Sequence, residues 1–268
     1  MGDHQLFELR PETGSDHVPN ARDVVVTVAP SAGGRIAQLE VDGRPVLVGG
    51  DHASHPAMWG AFPMAPWAGR VRSGRFRFDG TRYDLHQNLP PHAIHGTTFD
   101  RRWTTTFHDP QSIAMEIELD WPFGGRATQF LTVRPDALVC ELTVHARDAA
   151  MPAEIGWHPW FVKPDSISFA PVGRYVRDTH GIAIDEVVIP DLTAGPFDDC
   201  FVNTAAVVLH HGRHSLTLES DCDHWVLYDE PHHATCIEPQ SGPPDAFTIR
   251  PRRLSAGDSL RRTFRLSW

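Results

Sequence analysis

Strict alternation of apolar and polar side chains over residues 113–121 restricts what this chain can fold into. Ile113, Met115, Ile117 and Leu119 fall on one face, and Ala114, Glu116, Glu118 and Asp120 on the other. A period of two gives one wet and one dry surface only in an extended strand. Residues 138–145 repeat it, with Leu138, Cys140, Leu142 and Val144 inward, and 260–268 repeat it with Phe264, Leu266 and Trp268. Further upstream, 24–28 is a β-branched run. Gly33-Gly34 turns it into 35–41, Asp42-Gly43 leads on to 45–48, and Asp79-Gly80 divides 75–84 into a hairpin. No window carries an apolar stripe at i, i+3, i+4, i+7 between helix caps, and 23 prolines and 21 glycines punctuate the chain. Short strands joined by turns predict an all-β fold, a sandwich or barrel. With no linker or repeat in 268 residues, the organisation expected is a polar, loosely held tail over 1–20 and a single domain over 21–268.

Residues 52–74 break the pattern. Pro56, Pro63 and Pro66 argue against both helix and central strand, yet Met58, Trp59, Phe62, Met64 and Trp67 are too apolar for a solvated loop. Such a loop packs on the sheet or lines a pocket. The net charge of −10 argues against nucleic acid or an anionic membrane as partner. The N-terminus has neither the basic nor the apolar region of a signal peptide, and no apolar run approaches the ~20 residues that cross a bilayer. Cys140, Cys200, Cys222 and Cys236 are scattered and read as reduced thiols of a cytoplasmic protein.

Five stretches carry side chains suited to chemistry. Glu238 follows the strand-like run 234–237 into a Pro/Gly-rich turn, and is expected on the lip of a loop. His158 lies in E-I-G-W-H-P-W-F between Trp157 and Trp160; it is either a proton donor or acceptor held near neutrality, or a packed core histidine. His92 and His95 sit in P-P-H-A-I-H-G, where the prolines and Gly96 exclude the helix that would make them a metal pair. Arg70, just after Trp67, can present its fork to hydroxyls or a carboxylate, or be a solvated strand end. Asp198, in P-F-D-D-C-F, can accept two sugar hydroxyls or cap a turn. The chain has no G-x-S-x-G elbow, phosphate-cradling loop or dinucleotide fingerprint. A glutamate and a histidine beside aromatic faces suit acid–base work on a neutral polyhydroxyl ring, without cofactor or metal.

In these residues the chain resembles the aldose 1-epimerase (galactose mutarotase) family. G-R-V-R-S-G-R-F-R-F-D-G (69–80) is similar to the family's N-R-I-x-x-G-x-F-x-x-x-G, with Gly69 in place of Asn. H-A-I-H-G (92–96) is similar to N-x-L-H-G, with His92 in place of Asn. The H-P-W-F of 158–161 resembles H-P-Y-F, F-D-D-C-F (197–201) resembles D-H-x-F, and C-I-E-P-Q-S-G-P-P-D-A-F (236–247) resembles the segment with the catalytic glutamate. L-S-A-G-D-S-L (254–260) is similar to the closing L-x-P-G-E.

The resemblance implies a large antiparallel β-sandwich of the galactose mutarotase-like type. It also implies interconversion of the α and β anomers of a free aldohexose. Glu238 would be the base and His158 the acid, with Arg70, His95 and Asp198 holding ring hydroxyls. Trp67 and Trp160, together with Trp59 and Trp157, are candidate stacking faces. The expected partner is a small-molecule sugar, and the expected state a monomer or weak homodimer. Two alternatives share the fold: a hexose-6-phosphate epimerase, with Arg70, Arg72, Arg101 and Arg102 as phosphate donors, and a non-catalytic sugar-binding protein.

Overall fold

The alternating segments form strands as their patterning requires. Ser112–Glu118, Arg126–Val133, Ala137–His145 and Ser259–Ser267 run antiparallel in that order, with Cys140 opposite Phe264. They belong to an eight-stranded sheet. In the computed structural model, which describes residues 5–12, 22–193 and 195–268, this sheet packs on an eleven-stranded one. One apolar cluster joins their inner faces: Val26, Leu39, Phe161, Trp225 and Ile237 come from the larger sheet, and Met115, Leu131, Leu142, Leu218 and Phe264 from the smaller. Each such side chain stabilises the fold by roughly 1.5–3 kcal/mol on burial. Trp157 meets Phe264 across the interface at 5.8 Å between ring centroids.

The one buried polar crossing at this point is satisfied. Trp157 Nε1 donates to Gln129 Oε1 at 3.1 Å, and Gln129 Nε2 donates to the Gly34 carbonyl at 2.6 Å. The hairpin at 75–84 also forms, as Arg75–Phe78 and Thr81–Asp84. Asp79 (φ 46°) and Gly80 (φ 80°) both take the left-handed conformation that matches a two-residue turn to strand twist. All four cysteines are free and buried. Among the described residues no helix is long and apolar enough to cross a membrane, and Ala246–Ile249 is the only α-helical turn.

Two expectations change. Within the stretch expected as a tail, Phe7–Leu9 is a strand paired with Val24–Ala29, and Leu9 is buried; residues 1–4 and 13–20 lie outside the described residues. Proline also enters central strands. Ala61–Met64 contains Pro63, Gly156–Val162 contains Pro159, and Ala234–Gln240 contains Pro239, and these three strands are neighbours inside the larger sheet. The ladders accommodate the missing donors. Between Arg35–Val41 and Ala61–Met64 the paired residues are Ile36 and Ala61, so Pro63 faces no partner on that side. Between Gly156–Val162 and Ala234–Gln240, Gly156 pairs with Gln240 and pairing resumes at Trp160 with Cys236. Pro159 and Pro239 fall in the interval, where no N–H is called for.

Candidate active site

That interrupted stretch of ladder carries the reactive groups. Alternation along Gly156–Val162 sends Trp157 and Phe161 into the sandwich core and turns His158 and Trp160 to the other face. Along Ala234–Gln240, Ile237 enters the core while Cys236, Glu238 and Gln240 share the outer face. The register on either side of the interval sets His158 opposite Glu238. His158 Nε2 lies 3.2 Å from Glu238 Oε1, and Gln240 Nε2 donates to Oε2 at 3.1 Å. Both carboxylate oxygens are therefore engaged, in a residue only 3% exposed. The imidazole of His158 is stacked between Phe62 (4.8 Å) and Trp160 (5.4 Å), with His95 edge-on at 4.8 Å. Rings on three sides fix its plane.

Loops close over this face. The short strand Arg70–Val71 pairs with Ala93–Ile94, and the His95 N–H donates to the Gly69 carbonyl at 2.9 Å. His95 and Gly96 both have positive φ, and a Cβ at Gly96 would stand 1.9 Å from the Ala65 carbonyl oxygen. Only glycine fits there, so the H-G pair fixes where the His95 ring goes. Buried Arg35 ties a second wall in place. Its Nη1 donates to the carbonyls of Pro56 (2.7 Å) and Trp59 (2.8 Å), and its Nη2 to that of Phe99 (2.8 Å).

The open cleft beneath these loops has a volume of about 420 Å³, and Arg70, His95, His158, Trp160, Asp198 and Glu238 all line it. Arg177, Tyr228 and Gln240 line it too. Asp198 Oδ2 sits between two guanidiniums, 3.5 Å from Arg70 and 3.4 Å from Arg177, and Arg177 Nε also reaches Asp199 at 3.0 Å.

Burial dominates the electrostatics. It raises the Glu238 carboxyl well above its ordinary range, with Asp198 adding to the rise and the Gln240 N–H and Arg70 opposing it. Burial lowers His158 to about 3, with Arg35 and Arg70 contributing. His95 is lowered well below 6.5, first by burial and then by His158 and Arg70. Asp198 is raised by burial against the pull of Arg70 and Arg177. Burial thus disfavours charge on both members of a pair only 3.2 Å apart. Gln240 Oε1 and His95 Nδ1 are buried without a side-chain or backbone hydrogen-bond partner.

Of the seven side chains foremost among the expected site residues, namely Glu238, His158, Arg70, His95, Asp198, Trp160 and Trp67, the first six meet in one cavity. The seventh, Trp67, does not: it packs against Phe247 (6.4 Å) and Trp121 (6.2 Å) beside Phe76 and Phe78. Arg70, three residues on, enters the cavity because the chain turns at Gly69 (φ 59°). Trp157 faces the core, and Trp59 lies under Arg35 at 4.1 Å, which leaves Trp160 as the tryptophan at the site. Glu238 is not on a loop lip but inside a fully buried strand, because pairing continues through Pro239 to Gln240. His92 is turned away and accepts the Ser73 N–H at 3.1 Å. Arg72 engages Asp178 and Asp245, and Arg101 donates to the carbonyls of Thr97 (3.4 Å) and Glu118 (3.1 Å); neither lines the cavity. Donor atoms of His158, Cys236 and Glu238 lie within 4.8 Å of one another.

The fold is that of the galactose mutarotase-like β-sandwiches. The chain aligns over 98% of its length with 98% of the GalM/aldose epimerase homologue from C. elegans, at a TM-score of 0.81 and 16% identity. It aligns equally fully with galactose 1-epimerase from Lactobacillus acidophilus NCFM, covering 98% of each chain at a TM-score of 0.76 and 14% identity. The family model "Aldose 1-epimerase" matches residues 20–267, and the chain belongs to that family. Among curated proteins it is similar to the uncharacterized protein YphB of Escherichia coli K12, 29% identical over 133 residues. That match takes in 48% of this chain and 46% of YphB, so the chain spans about half the length of the curated relative it matches.

Proposed function

We propose that this protein interconverts the α and β anomers of a free aldohexose. The observation that carries the reading is the opposition of Glu238 and His158, 3.2 Å apart in one cavity with room for a hexose. Glu238 takes the proton from the C1 hydroxyl while His158 gives one to the ring oxygen. The C1–O5 bond opens to the aldehyde, the C1–C2 bond rotates, and closure on the other face of the carbonyl returns both protons. Each general acid or base contributes roughly 10²–10⁴-fold, with no nucleophile or cofactor called for. Gln240 and Arg70 oppose the rise that burial gives Glu238 and so favour its carboxylate form, the form that accepts the C1 hydroxyl proton. Arg70, His95 and Asp198 hold ring hydroxyls, and Trp160 offers an apolar face.

Charge favours a neutral sugar over its 6-phosphate. The two cavity arginines, Arg70 and Arg177, both face Asp198, and Asp199, Glu230 and Glu238 add further acids. A phosphate would have to displace these carboxylates from their guanidiniums. The free buried thiols support a reducing, cytoplasmic setting.

The test is anomer exchange measured by magnetisation-transfer NMR over a panel of aldohexoses and their 6-phosphates. Faster exchange of at least one free sugar is expected. Acceleration confined to the phosphates would overturn the choice of substrate, and acceleration of neither would overturn the enzymatic reading.

A further inference from the structure

We infer that His158, Cys236 and Glu238 together form a binding site for a thiophilic divalent transition-metal ion, with zinc the best fit. Its regulatory consequence, arrest of the acid–base pair, rests on the function proposed above; the site itself does not. The three residues share the outer face of two adjacent strands, with Cys236 two positions from Glu238 and His158 across from it. Their donor atoms already lie within 4.8 Å of one another. Ligands about 2.0–2.2 Å from a tetrahedral zinc ion stand roughly 3.3 Å apart along an edge. The observed separation of His158 Nε2 and Glu238 Oε1 is 3.2 Å, so this edge is preformed, and the remaining adjustment falls on the Cys236 side chain.

The donor set chooses the ion. One imidazole, one thiolate and one carboxylate suit zinc, cobalt or cadmium, whereas magnesium and calcium demand oxygen cages. Charge makes the buried site tolerable. A dication held by one thiolate and one carboxylate is neutral overall, so no net charge is carried into a pocket where all three side chains are buried. On binding, the Cys236 thiol proton passes to solvent, together with any proton carried by the Glu238 carboxyl, since ligation takes the thiolate, the carboxylate and the neutral imidazole. His158 and Glu238 line the cavity, so the fourth coordination position opens there, to water or a sugar hydroxyl. Cys236 itself lies just beneath the cavity wall; of the other cysteines, Cys200 lines the cavity but does not join this cluster, and Cys140 lies in the sandwich core. An ion so placed occupies both proton-carrying groups at once, and turnover stops while it is bound.

The experiment is titration of chelator-treated full-length protein with cobalt(II), read by absorption spectroscopy, followed by competition with zinc. One equivalent of cobalt should produce a thiolate-to-cobalt charge-transfer band with visible d–d bands of tetrahedral intensity, and zinc should abolish both. Cys236→Ser should lose the charge-transfer band. Glu238→Gln should weaken binding by more than the roughly 10–100-fold that outer-shell partners cost. Thermal melts of both variants separate lost ligation from lost folding, and Glu238→Gln, which leaves the thiol in place, serves if Cys236→Ser does not fold. Absence of a charge-transfer band in the wild type, or its persistence in folded Cys236→Ser, would overturn the site. Zinc should also suppress anomer exchange in the wild type. Cobalt binding by a protein that never accelerates exchange would sink the proposed function and leave the metal site standing; exchange indifferent to saturating zinc would do the reverse.

Discussion

Glu238 and Gln240 lie two residues apart on one strand, and Gln240 Nε2 donates to Glu238 Oε2 at 3.1 Å. That bond leaves Oε1 to face His158 at 3.2 Å, so a single amide decides which carboxylate oxygen meets the imidazole. It also favours the ionised carboxylate in a place where burial opposes it.

Replacing Gln240 with Leu removes the donor with little change of volume. A hydrogen bond to a charged group is worth about 1.5–3 kcal/mol, so anomer exchange near neutrality should fall roughly 10–100-fold. The pH profile separates this role from a merely structural one. Without the donor the Glu238 carboxyl rises further, and the acid limb of kcat/KM should move to higher pH. An unshifted limb in a folded Gln240→Leu protein would contradict the assignment.

Trp157 and Trp160 sit on opposite faces of the same strand, so the two should fail differently. Trp157→Ala opens a cavity against Phe264 and strands the Gln129 carbonyl oxygen, which should cost about 3–5 kcal/mol in denaturant unfolding. Trp160→Ala removes a lining ring stacked on His158 and should raise KM and lower kcat. Equal stability losses with no kinetic difference between them would contradict the division of faces.

Glu154, two residues before the Gly156–Val162 strand, is 2% exposed, and its Oε1 has no partner. Burial lifts its carboxyl well above 4.5, with Asp245 adding to the rise against the Ala68 N–H and Arg252. A carboxyl whose pKa is higher folded than unfolded binds its proton more tightly in the native state. Its contribution is therefore fully present below the unfolded value and is lost as pH rises through the folded one. Melting temperature should fall from pH 5 towards pH 8, and Glu154→Gln, which carries no proton to lose, should flatten that fall. Glu238, Asp198 and Asp245, also raised by burial, account for slope that remains. Parallel curves for the two proteins would refute the assignment to Glu154.

Much of this architecture was legible because strand patterning is local. The alternation at 113–121 and 138–145 and the Asp79-Gly80 turn state their own geometry, and the structure follows them. Proline misled in both directions. Pro63 and Pro239 look like strand breakers in the sequence alone, yet a residue facing an interrupted ladder has no donor to lose. Reading Pro239 as a terminus put Glu238 on a lip and hid Gln240, although 236, 238 and 240 keep the period of two. Arg177 and Tyr228 gave no local signal; they reach the cavity because Gly173–Arg177 and His224–Tyr228 both pair with Asp198–Val202. Trp67 shows the limit of reasoning by proximity in sequence, since the turn at Gly69 separates it from Arg70.

The most direct test of the account is the rate of anomer exchange catalysed by Glu238→Gln, followed by polarimetry on a free aldohexose that the wild type accelerates. The substitution keeps the shape and a partner for His158 but removes the proton acceptor. A loss of roughly 10²–10⁴-fold is expected, with the fold intact by circular dichroism. Mutarotation at the wild-type rate in the folded variant would contradict the claim that Glu238 takes the proton.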